Sequence, residues 1–175
     1  MVKVFTAQAA DNAAALPSLS LDEHSVRCAL GKGGVIAATQ KREGDGKSPA
    51  GSWPIRYVFY RPDRVAVPDT RLPAIALTPD DGWCDDPASP DYNRHVHVPF
   101  PASHEKLWRD DHVYDFIVVL GHNDDPPVSG MGSAIFLHLA RDTYAGTEGC
   151  VAVALPDMLE FLRKAEPGDL IRISG

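Results

Sequence analysis

A mainly β fold with one or two short helices is predicted for this chain, on three observations. Short apolar segments of strand length recur along it, several alternating with period two. Glycine (14) and proline (15) are more frequent than the usual total of about 12%, so turns are many. Only one stretch has convincing helical spacing. The 175 residues fit one domain, 1–175, and 44% hydrophobic residues suffice for a packed core.

In chain order, Val2 to Phe5 reads as a strand, and Leu19 to Leu30 as another, alternating at Val26, Cys28 and Leu30. Gly31-Lys-Gly-Gly34 is a turn, and Val35 to Ala38 a short apolar strand. Lys41 to Pro49 is a polar loop rich in turn residues, leading into an aromatic-rich strand from Trp53 to Tyr60. Arg61 to Pro101, dense in proline and aspartate, is expected to be one long irregular region. Ser103 to Asp110 reads as a short helix capped by Ser103. Asp115 to Leu120, Ser133 to Leu139 and Val151 to Ala154 are apolar strands. Leu155 to Ala165 is the clear helix, with Pro156 near its start, Leu155, Met158, Leu159 and Leu162 on one face, and Gly168 beyond its end. Leu170 to Ile173 closes the chain as a strand.

Net charge is −7 and no Lys/Arg-rich run occurs, which argues against a nucleic-acid partner. No segment reaches the length of a membrane span. The three cysteines, Cys28, Cys84 and Cys150, form no CxxC pair, so neither a disulfide framework nor a zinc knuckle is expected, and free thiols fit a reducing compartment. Met1 to Asp11 lacks a secretory apolar core, so the expected location is cytoplasmic, or periplasmic if a leader has been removed. No cofactor is expected.

The chemistry centres on Thr147-Glu-Gly-Cys150-Val-Ala152. A cysteine is most often a small buried hydrophobe. Here it follows a loop and precedes an apolar strand. Gly149 permits a tight turn whose backbone N–H groups can face an oxyanion. A nucleophilic thiol needs a base, and the nearest histidine is His138, at the end of an alternating segment. Two adjacent strands joined by the loop from Ala140 to Thr147 would set His138 beside Cys150. The pair could then attack an acyl carbonyl, pass through a thioester and release the acyl group to an acceptor.

In this order of residues the sequence resembles the YkuD-type L,D-transpeptidase catalytic domain. Asp45-Gly-Lys-Ser-Pro-Ala-Gly51 running into Trp53-Pro-Ile resembles the family's Lys-Thr-Pro-x-Gly segment. Gly121-His-Asn123 followed by Gly132-Ser-Ala-Ile-Phe-Leu-His138 resembles its Gly-Tyr-Asn and strand-borne His segments, and Pro167 to Ile173 its last strand. The resemblance spans roughly residues 20 to 175. It implies a β-sandwich of mixed sheets. It also implies cleavage of the bond between the L-centre of a diamino acid and D-alanine in peptidoglycan stem peptides, the partner being such a peptide. Cys150 would be nucleophile, His138 base, and Gly149 and Cys150 the oxyanion donors. The residue after the histidine usually orients it; here that is Leu139, which offers only its carbonyl.

Two positions depart from the family pattern. Glu148 stands where the more familiar motif has His, and Ala152 where many members carry Arg or Asn. An ionised Glu148 close to the thiol would oppose thiolate formation. The remaining candidates are substrate-side. His122 either lines a pocket or is a turn residue. Trp83, Tyr92, Asn93 and Arg94 form a substrate wall or pin their loop to the core. Arg61 and Arg94 either fork a carboxylate or are surface cations. His95 and His97, spaced i, i+2, either seat a metal or stand solvated beside Pro99, the latter being favoured. Cys84 is read as a bystander. Taken with the expected cytoplasmic location, water is the expected acceptor, making an L,D-carboxypeptidase of soluble muropeptides; a cross-linking transpeptidase and a peptide-binding module with weak turnover are the alternatives.

Overall fold

The computed structural model describes all residues, Met1–Gly175. Thirteen strands and one α-helix follow one another. They are β1 (Val4–Gln8), β2 (Ser18–Leu21), β3 (His24–Ala29), β4 (Val35–Ala37), β5 (Ser48–Tyr60), β6 (Ala74–Ala76) and β7 (Asp81–Cys84). Then come β8 (His95–His97), β9 (His104–Lys106), β10 (Phe116–Leu120), β11 (Phe136–Leu139), β12 (Val151–Val153), α1 (Leu155–Lys164) and β13 (Leu170–Ser174). The fold is mainly β with mixed sheets, as the sequence predicts.

The long strand β5 joins the two layers. Its first half pairs with β13 and, in parallel, with β4, and its second half pairs with β10 and β6. The change of partner falls at Pro54, which has no N–H to give a ladder, and β10 is irregular opposite it, between Val119 and Leu120. The remaining pairings run β10-β11-β12-β3-β2-β1-β13, with β11–β12 and β1–β13 parallel. A separate three-stranded sheet, β8-β7-β9, stands beside them.

Period-two alternation decides which side of β11 and β12 carries chemistry. Leu137, Leu139, Val151 and Val153 face the larger core, against Met158, Phe161 and Leu162 of α1. Each of the three helical side chains is fully buried and contributes about 1.5–3 kcal/mol. Phe136 and Cys150 point the other way, into a smaller cluster with Trp83, Tyr114 and Ile117. The helix matches its prediction in place, although Leu155 is exposed and Phe161 takes the inward position.

Three local expectations are corrected. Leu19 to Leu30 is a hairpin, not one strand: Asp22 adopts a left-handed φ of 63° and the chain turns back with Leu21 opposite His24. Ser103 to Asp110 is not a helix. The Ser103 hydroxyl donates to Asp85, and His104–Lys106 pairs with β7, because the segment lacks an apolar helical stripe and the sheet edge offers its backbone partners. The expected irregular region contains β6, β7 and β8, whose three- and four-residue strands are too short for periodicity to reveal.

Candidate active site

The loop ahead of Cys150 is set by close backbone packing. Gly149 has φ +140°, and a Cβ there would sit 2.8 Å from the Lys47 carbonyl oxygen, so both conformation and space demand glycine. Ser48 holds the same turn, its hydroxyl donating to the Gly149 carbonyl at 2.8 Å and accepting from Gly31 N–H at 2.9 Å. The Gly-Lys-Ser-Pro run is thus the support under the cysteine loop. Thr147 completes the turn: its hydroxyl donates to the Cys150 carbonyl at 2.7 Å and accepts from Gly149 N–H at 3.1 Å. That bond occupies the Gly149 N–H, one of the two expected oxyanion donors. The Cys150 N–H has no acceptor.

Parallel pairing of β11 with β12 places His138 level with Ala152, so Cys150 and His138 line the same cavity of about 600 Å³. The His138 ring nitrogen Nδ1 lies 2.9 Å from the Leu139 carbonyl. A carbonyl only accepts, so Nδ1 carries the hydrogen and Nε2 keeps its lone pair. Burial, with Arg109 and Arg141 nearby, pulls the imidazole down to about 4 despite the Leu139 bond, so it is neutral at pH 7. Cys150 is only 7% exposed. Burial first and Glu105 second push its thiol up to about 12, against the Phe136 N–H and Lys41. It donates to the Ala134 carbonyl at 3.2 Å and accepts from Phe136 N–H at 3.4 Å, and makes no hydrogen bond with His138. The resting pair is therefore thiol plus neutral imidazole, not thiolate–imidazolium. Alkylation by iodoacetamide, read at Cys150 by peptide mass mapping, is expected to climb about tenfold per pH unit from 7 to 10, following the thiolate fraction. A plateau near pH 8–9 would contradict this protonation state.

The rest of the cavity wall comes from distant segments. Lys41, buried and 2.5 Å from Asp45, and Glu43 come from the polar loop before β5. Glu105, on β9, accepts the Tyr114 hydroxyl at 2.5 Å, and burial pushes its carboxyl up. Tyr114 packs edge-on against His138, ring centres 5.3 Å apart. Arg109 grips Asp111 in a fork at 2.8 and 2.7 Å, while Arg141, half-exposed, touches the same carboxylate at 3.3 Å. Acidic groups, Glu43, Asp85 and Glu105, and the arginines Arg109 and Arg141 thus line a single cavity.

The family model of the L,D-transpeptidase catalytic domain, YkuD, matches residues 19–173. The chain belongs to this family. No curated protein and no solved structure matches it. YkuD domains are L,D-transpeptidase-family enzymes and act on peptidoglycan peptides, and the match takes in the whole Cys150 loop, His138 and the Ser48 support.

Within this YkuD domain the departures acquire structural context. Glu148 is on the cavity rim, exposed and ion-paired with Lys32 at 2.5 Å, and its charge still pushes the Cys150 thiol up, as the sequence predicts. Ala152 is level with His138 and packs against Ala29 on β3 and Ala140.

Of the substrate-side candidates only Glu148 lines the cavity. Trp83 is buried and donates through Nε1 to Asn93 at 2.9 Å. Asn93 is a buried junction, its amide donating to the His122 and Asn123 carbonyls at 3.1 and 2.6 Å and its oxygen also accepting Ala134 N–H at 3.0 Å. The Tyr92 hydroxyl donates to Glu43 at 3.0 Å and accepts Gly132 N–H at 2.9 Å, so it positions a wall residue without forming the wall. Arg94 lines a second cavity of about 350 Å³. Arg61 is buried, forked onto Asp63 at 2.9 Å and stacked 3.7 Å over Trp108, so its guanidinium is already engaged. His122 is buried edge-on to Trp53 with Nδ1 unpartnered, and burial followed by Lys41 lowers it to about 4. Sequence reasoning missed Lys41, Glu43, Glu105, Arg109, Tyr114 and Arg141. Only Arg141, three residues past His138 in the connecting loop, carried a local signal.

Proposed function

We propose that this protein is an L,D-carboxypeptidase: a cysteine acyl-transfer enzyme that releases terminal D-alanine from peptidoglycan stem peptides, with water as acceptor. The observation that supports it most is a single cavity containing Cys150, the His138 lone pair and the unpartnered Cys150 N–H. As the sulfur attacks the carbonyl of the L,D-bond, its proton passes to His138 Nε2. The Cys150 N–H meets the oxyanion. The imidazolium returns the proton to the departing amine, D-alanine leaves, and the peptide remains as a thioester. Water, deprotonated by the same nitrogen, then frees the thiol and the shortened peptide. A cavity of about 600 Å³ matches one small ligand. That supports water over a second stem peptide as acceptor. Soluble, recycled stem peptides are the proposed substrates, in keeping with three free cysteines and a reducing cytoplasm.

Incubation with a tetrapeptide stem is expected to yield tripeptide and D-alanine by mass spectrometry. Dimeric peptide formed with added acceptor, and no tripeptide, overturns the proposal. One observation favours that second reading, transpeptidation: Glu43, Asp85 and Glu105 would suit an acceptor amine.

The substrate's terminal carboxylate is assigned to Arg141, which is more loosely engaged than Arg109. Arg141→Ala is expected to raise KM roughly 10- to 100-fold with a smaller change in kcat, the loss of one charge-assisted contact. An unchanged KM assigns the carboxylate elsewhere.

A further inference from the structure

His95 and His97 point to the same face of β8, and neither takes part in the acyl-transfer site. Pairing with β7 sets Asp81 opposite His97, and the carboxylate turns toward both rings. Asp81 Oδ1 is 2.7 Å from His95 Nε2 and 3.4 Å from His97 Nδ1, and one donor atom from each residue falls within 4.8 Å of the other two. We propose that Asp81, His95 and His97 bind a divalent transition-metal ion, with zinc as the best match.

The donor set fits that ion. Two imidazoles and one carboxylate suit zinc, and the nitrogen donors disfavour magnesium and calcium. Donor atoms about 2.0–2.2 Å from a tetrahedral ion lie about 3.4 Å apart. The Asp81–His97 spacing already has this value, and the Asp81–His95 spacing opens by about 0.7 Å as a hydrogen bond gives way to the ion. Asp81 is also oriented for the task. Its other oxygen accepts Thr78 N–H at 2.7 Å and the Thr78 hydroxyl at 3.2 Å, which aims Oδ1 at the histidines. Asp81 is buried whereas the His97 side chain is 71% exposed, so the ion has a route from solvent and a fourth position open to water.

On binding, His95 Nε2 must present its lone pair, so its hydrogen moves through solvent to Nδ1; His97 binds through Nδ1 and keeps its hydrogen on Nε2. No electron transfer is involved. The ion clips β8 to β7 and steadies the sheet that also carries Glu105. It lies apart from the thiol: Trp83 stacks on His95 with ring centres 6.4 Å apart and separates it from Phe136, beside Cys150.

Zinc chloride is titrated calorimetrically into the metal-stripped wild type, His97→Ala and Cys150→Ser, with cobalt(II) absorption and thermal unfolding as parallel readouts. The expected result is one equivalent bound by wild type and Cys150→Ser, and a Tm rise of about 5–10 °C at a hundredfold excess over Kd. In His97→Ala, both are lost. Because His97 is exposed, that variant is expected to keep the metal-free Tm, which shows that it is folded. Binding retained in His97→Ala, binding lost in Cys150→Ser (a metal held by the reactive thiol), or no binding at about 1 mM zinc each overturns the proposal.

Discussion

Cys150→Ser is expected to cut release of D-alanine by about ten-thousand-fold or more and to abolish covalent labelling by a carbapenem, read as the intact protein mass. The barrier to forming the nucleophile explains the size of the effect. Sulfur becomes reactive when its proton moves to His138 during attack, since burial holds the thiol near 12 and the imidazole near 4. A serine hydroxyl is a far weaker acid in the same pocket. His138→Gln removes the acceptor lone pair and is expected to cost a further class of roughly 100- to 10,000-fold, with substrate binding largely retained. The working form is the neutral imidazole. His138 gains a second proton, on Nε2, only below about 4, so kcat/KM is expected to stay level from neutrality down to about pH 5 and to fall beyond it. A rate that already halves near pH 6.5 would mean that the base is not buried His138. A carbapenem adduct on the wild type also separates a live enzyme from a peptide-binding module.

Much of this was legible in the sequence, for identifiable reasons. The β11 and β12 strands alternate cleanly, so the inward sides of Leu137 and Val151 fix the outward sides of His138 and Cys150. Gly149 and the Ser48 motif were legible because backbone contact tolerates few residue types. Leu139 was legible in its turn, since a carbonyl was all it offered to the imidazole. The cavity walls were not. Glu105 and Tyr114 meet through β9, a three-residue strand that reads locally as a helix, and Lys41 arrives from a loop a hundred residues away in sequence. Of the residues read as a substrate wall, Trp83, Tyr92 and Asn93 are buried scaffold, whereas Arg94 is exposed and lines the second cavity together with Trp83 and Asn93. Aromatic and amide residues in a proline-rich segment suit either role, and only burial separates them.

Asn93 shows how far that scaffold reaches into the site. It takes a left-handed φ of 56°, tolerable for asparagine, and sits 5% exposed. Its oxygen accepts from Trp83 and from Ala134 N–H, and its amide donates to two carbonyls of the His122–Asn123 turn. Ala134 is itself left-handed at φ 54°, an arrangement costing about 1 kcal/mol or more that persists because Asn93 holds its N–H. The Ala134 carbonyl in turn accepts the Cys150 thiol. Asn93→Ala leaves two donors and two acceptors without partners in the interior. The expected cost is about 3–5 kcal/mol, a Tm drop of roughly 10–15 °C by calorimetry. Asn93→Asp keeps the accepting oxygen but sets a carboxylate oxygen against the His122 and Asn123 carbonyls, and is expected to cost at least as much. Released from Asn93, Ala134 relaxes toward ordinary φ and withdraws its carbonyl, leaving the thiol without its resting acceptor. Iodoacetamide alkylation of the folded fraction should then become faster at Cys150 in Asn93→Ala than in wild type at the same pH. An equal rate would confine Asn93 to stability and leave the thiol's resting geometry to β12 alone.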